Sequence, residues 1–211
     1  MSLRALGFAA FAALAAVSAA SAAPVPPDEV VKTTTELLQK EIGAREKEFK
    51  ADQTRLYAFV DEVIVPKFDT KYIAQLILAR HWKAASADQR TRFQAAFKDM
   101  LVHSYANALV EYHSSVKAEW QPLRMAPDAT DVTVNSRLVR GNGKPPLPIG
   151  FAMRLKDGEW KVYDIVIENL SLVTSFRSQI NSEIKRTSLD ALIQRLESGQ
   201  KLEPETAKQR G

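Results

Sequence analysis

Asp157 and Gly158 stand between two runs that alternate apolar and other residues, Ile149–Lys156 and Glu159–Ile167. An Asp-Gly pair in that setting takes the positive backbone angles of a two-residue hairpin turn. The turn sets a register: Lys156 opposite Glu159, Leu155 opposite Trp160, Met153 opposite Val162 and Ile149 opposite Val166. One face of the hairpin then gathers Ile149, Phe151, Met153, Leu155, Trp160, Val162 and Val166. The other face of the return strand carries Tyr163, Ile165 and Ile167. A strand apolar on both faces is covered on both. The rest of the chain must therefore supply apolar cover on each side of this hairpin.

Most of that cover reads as helix. Val30, Val31, Thr34, Leu37, Leu38 and Ile42 recur at helical spacing, with Asp28 as a possible cap and Gly43 weakening the end. A second helix is expected from about Gln53 to Val65, limited by Pro66. Asp69 is placed to cap a third, through Tyr72, Ile73, Leu76 and Ile77. Ser86-Ala87-Asp88-Gln89 matches a capping box and should open the longest helix, to about Tyr112. Phe93, Phe97, Leu101, Tyr105 and Leu109 lie four apart along it, a stripe on a slowly turning face. Two strands precede the hairpin, at Val116–Trp120 and around Val132, Val134, Ser136 and Leu138. Gly141 to Pro146 is a loop. Ser171 and Ser188 are placed to cap two last helices, and Gly199 ends the second. Helices, then about four strands, then helices make an α+β layered domain with a twisted antiparallel sheet.

The beginning of the chain reads as a leader. Arg4 supplies a positive start, Ala5–Val17 is uncharged and apolar, and Ala20-Ser21-Ala22 fits a small-x-small cleavage site. The apolar run is shorter than the ~20 residues that a membrane-spanning helix needs. No cysteine stands at the cleavage point to carry a lipid. The expected organisation is a leader at 1–22, one domain at 23–199 and a flexible polar tail at 200–211. With no cysteine anywhere, the domain is held by its core alone. The chain has 29 basic against 25 acidic residues. That mild excess does not argue for nucleic acid.

Motifs of chemistry are missing. His81, His103 and His113 match no metal template, and His103 and His113, ten apart, are rotated off a common helical face. There is no G-x-S-x-G elbow, P-loop or G-x-G-x-x-G between strand and helix. No catalytic role is expected of any residue. What stands out is apolar surface: the helical stripe and one sheet face. They either pack on each other as an ordinary core or line a cavity for an apolar ligand. Spacing alone leaves both readings open.

A longer series of residues carries a resemblance. It runs through Phe68-Asp69, Leu78-Ala79-Arg80-His81-Trp82, Ser86 with Gln89-Arg90, and Phe93, Phe97, Leu101 and Tyr105. It continues in Gly158-x-Trp160-Lys161-Val162-Tyr163-Asp164-Ile165, Glu168-x-x-Ser171-Leu172-Val173, Phe176-Arg177 and Leu189-Asp190-x-Leu192-Ile193-x-x-Leu196. This series resembles the MlaC family of periplasmic phospholipid-binding, toluene-tolerance proteins that serve ABC transporters. The chain departs from it where the family often has glycine, at Ala79, Asn169 and Thr187 or Ser188. Asn169 can keep a left-handed turn.

The resemblance implies helices and sheet around a hydrophobic lipid pocket, with phospholipid as cargo and no cofactor, metal or catalytic residue. It implies a periplasmic carrier between an outer-membrane lipoprotein–porin complex and an inner-membrane ABC transporter, maintaining outer-membrane lipid asymmetry. A monomer is the simplest form of such a shuttle. The acyl chains are expected between the stripe (Phe97, Leu101, Tyr105) and the sheet face (Val134, Leu138, Ile149, Phe151, Met153, Val166). Leu170 and Val173 would sit near the mouth, and Tyr163 and Ile165 in a permanent core. No concentrated head-group site is legible. The alternatives are a periplasmic chaperone or adaptor that binds apolar protein segments, and a carrier of a hopanoid, quinone or other apolar molecule.

Overall fold

A computed structural model describes residues 23–141 and 143–202 of the protein. The expected leader, 1–22, and residues 203–211 lie outside the described residues.

The first helix, α1 (Pro27–Ala51), begins on a proline, whose fixed φ suits a helix start. Asp28, expected as the cap, therefore sits in the first turn and pairs with Lys32 at 2.7 Å. Gly43 does not end the helix. It runs on through a break in geometry at Arg45 (φ −114°, ψ 17°), because its second half buries Phe49. Phe49 packs on Phe59 of α2 (Gln53–Val63), with ring centroids 5.3 Å apart. A 3₁₀ turn, Val65–Lys67, follows and contains Pro66.

Asp69 caps α3 (Thr70–Leu78), accepting from the Tyr72 amide at 3.1 Å. Its carboxylate is buried and also takes the Lys156 ammonium at 3.1 Å, which ties this helix start to the hairpin. A short α4 (Arg80–Ala84) leads to α5 (Ala87–Tyr112), opened by the expected Ser86–Gln89 capping box. Ser171 and Ser188 cap α6 (Leu172–Arg186) and α7 (Leu189–Glu197), as expected.

The strands are β1 (Val116–Trp120), β2 (Asp131–Arg140), β3 (Leu147–Lys156), β4 (Glu159–Ile167) and β5 (Leu170–Ser171). They form an antiparallel meander in chain order, which makes the domain α+β. The sheet has one strand more than expected. The extra one, β5, is two residues long, too short for any periodicity to show. It is reached through Glu168 and Asn169, both at positive φ (49° and 66°). Asn169 thus does keep the left-handed turn.

The hairpin register holds from Lys156↔Glu159 to Met153↔Val162, then slips by one residue. A bulge at the level of Ala152/Met153 makes Tyr163 the extra residue in β4. Beyond it Ile149 faces Ile167, not Val166, and Phe151 faces Ile165. The expectation that β4 is apolar on both faces is corrected by this slip. Counted through the bulge, Trp160, Val162, Ile165 and Ile167 share one face. Val166 turns to the other, opposite Gly150, whose missing side chain leaves room for Thr133 and Asn135. The outer edge of β4 is covered at both ends, by Phe68 bridging to Val162 and by β5.

Burial divides among three clusters. The first joins α3, α5, α6 and α7 around Phe93, Phe97, Phe176, Ile180 and Leu192. The second joins α1, α2 and the later part of α5 around Ile42, Phe49, Leu56 and Val102. The third lies between α1 and the sheet, with Val31, Val134, Met153, Trp160 and Val162.

Candidate functional site

Where the three clusters approach one another they leave a cavity of about 630 Å³, open to solvent. That is the size range of ordinary small-molecule sites. Val60, Ile64 and Val65 wall it from α2 and the 3₁₀ turn, and Phe68 and Ile73 from the start of α3. α5 contributes Phe97, Leu101, Val102, Tyr105, Ala106 and Leu109; β4 contributes Ile165 and Ile167; α6 contributes Leu172 and Phe176. The α5 positions follow from a local rule. Phe97, Leu101, Tyr105 and Leu109 are four apart, and such a row drifts by about 40° per step. Phe93, one step before this row, is therefore sunk in the first cluster, while Tyr105, 43% exposed, has reached the solvent side.

Most polar groups in the wall satisfy each other. Gln94 donates to the Thr70 hydroxyl at 3.0 Å, and the Ser104 hydroxyl lies 3.7 Å from the Met100 sulfur. Lys98 is held by Asp61 at 2.9 Å and Asp99 at 2.6 Å. Burial works against its charge, but the two carboxylates outweigh this and hold the ammonium above the ordinary lysine range. Behind the wall, at the β4 bulge, the Tyr163 hydroxyl donates to Asp131 at 3.0 Å. Burial first, and then the Asp131 charge, push its pKa up to about 12. The lining thus offers a continuous apolar surface to whatever enters.

None of the three histidines lines this cavity. His103 packs at a tilt against Tyr57 (centroids 4.4 Å apart), His81 meets Asn181 at 3.1 Å and His113 meets the Val110 carbonyl at 2.9 Å. Among the described residues no group of three or more His, Cys, Asp or Glu is placed to hold a metal ion. No helix among them is long and apolar enough to cross a membrane.

Of the residues singled out from sequence, Phe97, Leu101 and Tyr105 lie in the cavity wall. The sheet residues do not. Val134 and Met153 are fully buried under α1 with Val31. Phe151 packs against that same cluster and against Trp120 (centroids 6.1 Å apart). Val166 is turned away by the bulge. Leu138 and Ile149 lie outside the wall, as does Leu170, whose strand pairs with Ile167. Val173 belongs to the first cluster, and its neighbour Leu172 lines the cavity instead. Ile165, expected in a permanent core, and Ile167, expected on the same face of the return strand, are wall residues. Sequence reasoning missed them because one extra residue reverses the alternation, and nothing in the composition of β4 marks it. The Val60–Ile64 and Leu172–Phe176 pairs, each four apart at helical spacing, carried a signal that could have found these four residues.

Comparison with known proteins agrees with this architecture. The family described as MlaC protein matches residues 32–198. The chain is 25% identical to the Haemophilus influenzae intermembrane phospholipid transport system binding protein MlaC over 173 residues, 81% of this chain and 80% of that one. It is 29% identical to the toluene tolerance protein ttg2D of Pseudomonas putida over 166 residues, 78% of this chain and 75% of that one. The solved structure of a phospholipid-binding protein from Ralstonia solanacearum, in complex with a phospholipid, superposes with a TM-score of 0.74 at 29% identity. The match covers 83% of this chain and 97% of the solved one. By sequence and by fold, this chain is a member of the MlaC family.

Proposed function

We propose that this chain is a periplasmic phospholipid carrier and not an enzyme. It takes lipid from one membrane system and delivers it to another, between an outer-membrane lipoprotein–porin complex and an inner-membrane ABC transporter. In doing so it helps to keep the outer membrane asymmetric. The observation that carries this reading is the cavity of about 630 Å³ walled by α2, α3, α5, α6 and the end of β4. The names of the relatives, and the phospholipid held by the Ralstonia protein, support it.

The physical need is plain. A diacyl lipid exposes roughly 30 methylenes in water, at about 0.8 kcal/mol each, on the order of 20 kcal/mol or more. A carrier lowers that cost by replacing water with Phe97, Leu101, Leu109, Ile165, Ile167 and their neighbours. The wall asks little of the chains it holds: the Lys98 charge within it is already paired with Asp61 and Asp99. Aliphatic and aromatic side chains from several separate elements can shift to suit chains of different length.

The test is to purify the protein under mild conditions, extract it with organic solvent and weigh the extract by mass spectrometry. Near-stoichiometric phospholipid is expected. Peptide in its place would indicate the adaptor, a hopanoid or quinone another cargo. An empty protein that takes up no lipid from vesicles would sink the proposal.

A further inference from the structure

Two hollows flank α5, and one residue lines both. The second hollow, about 440 Å³, lies between α5 and α7, with Arg92, Asp99, Met100, His103 and Glu197 in its wall, and Lys201 beside them. Lys201 also lines the apolar cavity.

The chain is built to hold Lys201 there. After α7 the Gly199 amide donates to the Leu196 carbonyl at 2.9 Å and the Gln200 amide to the Arg195 carbonyl at 3.1 Å. With Gly199 at φ 80°, this is the paired-bond C-terminal turn that reverses a chain sharply. The Arg195 guanidinium ties the turn again, donating to the Gln200 side chain at 2.8 Å. On the other side of Lys201, Leu202 is only 6% exposed and belongs to the cluster of Phe97, Met100 and Phe176. The expected flexible tail therefore does not begin at Gln200. Lys201 is pinned in sequence between a fixed turn and a buried leucine, with its own side chain exposed.

The other cations nearby are already engaged. Lys98 holds Asp61 and Asp99, and Arg92 forms a two-pronged pair with Glu197 at 2.8 and 2.7 Å. Among the described residues the Lys201 ammonium has no hydrogen bond or ion pair. An apolar cavity with one cation in its wall that is uncommitted among the described residues suits a molecule that is apolar along most of its length and anionic at one end.

We propose that Lys201 is the head-group residue of the cavity: its ammonium takes the anionic phosphate of an amphiphile whose chains lie along the apolar wall. This rests on the carrier reading and adds the group that orients the cargo. Phosphate is also available free in solution, so the test separates the two sources.

The delipidated full chain is incubated with vesicles of phosphatidylglycerol doped with diacylglycerol of the same chains. Bound lipids are then measured by mass spectrometry, with and without added inorganic phosphate. Lys201→Gln is expected to lower the ratio of bound phosphatidylglycerol to bound diacylglycerol about threefold, the scale of a solvent-exposed ion pair. Diacylglycerol uptake itself should not change, Lys201→Arg should keep the ratio, and inorganic phosphate should displace nothing. An unchanged ratio in Lys201→Gln, or an equal fall of both lipids, overturns the head-group role and leaves the carrier standing. Displacement by inorganic phosphate reassigns Lys201 to free phosphate and overturns the role as well. A wild-type chain that loads neither lipid overturns the carrier and the head-group role together.

Discussion

Ala79 holds a backbone that L residues rarely adopt, φ 46° and ψ −114°, at the joint between α3 and α4. The joint is held by hydrogen bonds on both sides: the Ala79 amide donates to Gln75 at 2.9 Å, and Trp82 donates to the Ala79 carbonyl at 3.1 Å. Such a conformation costs about 1–3 kcal/mol in a residue with a side chain. Glycine removes that strain and returns part of the gain as unfolded-state freedom, about 0.4–1 kcal/mol. Ala79→Gly is therefore expected to stabilise the protein by about 1 kcal/mol, which raises the melting temperature of a domain this size by roughly 2–4 °C. Calorimetry checks this, and a fall in melting temperature would mean that the methyl group packs to good effect. The joint was half legible in the sequence: the resemblance marks Ala79 as a place where glycine is often expected, but only the fold shows that the demanding geometry is kept. Asn169 is the complementary case, a departure that the side chain tolerates at φ 66°.

At the scale of elements, what could be read from sequence was whatever obeys one unbroken period. The caps at Asp69, Ser86, Ser171 and Ser188 are local chemistry and sit where expected. The stripe on α5 keeps its helical period for its whole length, so its passage from core to cavity follows from the drift alone. β4 does not keep its period, and the sheet side of the wall was misassigned for that reason. The two assignments make opposite forecasts. Ile165→Glu puts a charge in the cavity wall and is expected to abolish lipid loading while circular dichroism still shows a folded chain. Met153→Ala removes a fully buried side chain from the third cluster. It is expected to cost about 2–5 kcal/mol of stability in denaturant titration, with lipid still bound at temperatures where the chain is folded. If Met153→Ala loses lipid at full stability, or Ile165→Glu keeps it, the wall has been drawn on the wrong side of the bulge. Leu202 was illegible for another reason. A single leucine in a polar stretch has no period, and its burial depends on a turn that only Gly199 hints at.

Across the described residues as a whole, three hydrophobic clusters stand around a space that none of them fills. Cargo in that space touches side chains of more than one cluster, so loading is expected to add to folding stability. A ligand at about a hundred times its Kd adds roughly 2.7 kcal/mol, or about 5–10 °C in melting temperature for a chain of this length. Differential scanning fluorimetry before and after delipidation measures it, and re-lipidation should restore the loss. An unchanged melting temperature would mean that the lipid lies outside the cavity. The single set of walls has a further consequence. A chain of methylenes resting on Phe97, Leu101 and Ile165 has the same free energy whichever bilayer it came from. At equilibrium, such a cavity equalises the chemical potential of lipid between two reservoirs and favours neither. Any net flux in one direction through such a carrier must therefore be driven where the cavity is emptied or filled, and not by the cavity itself.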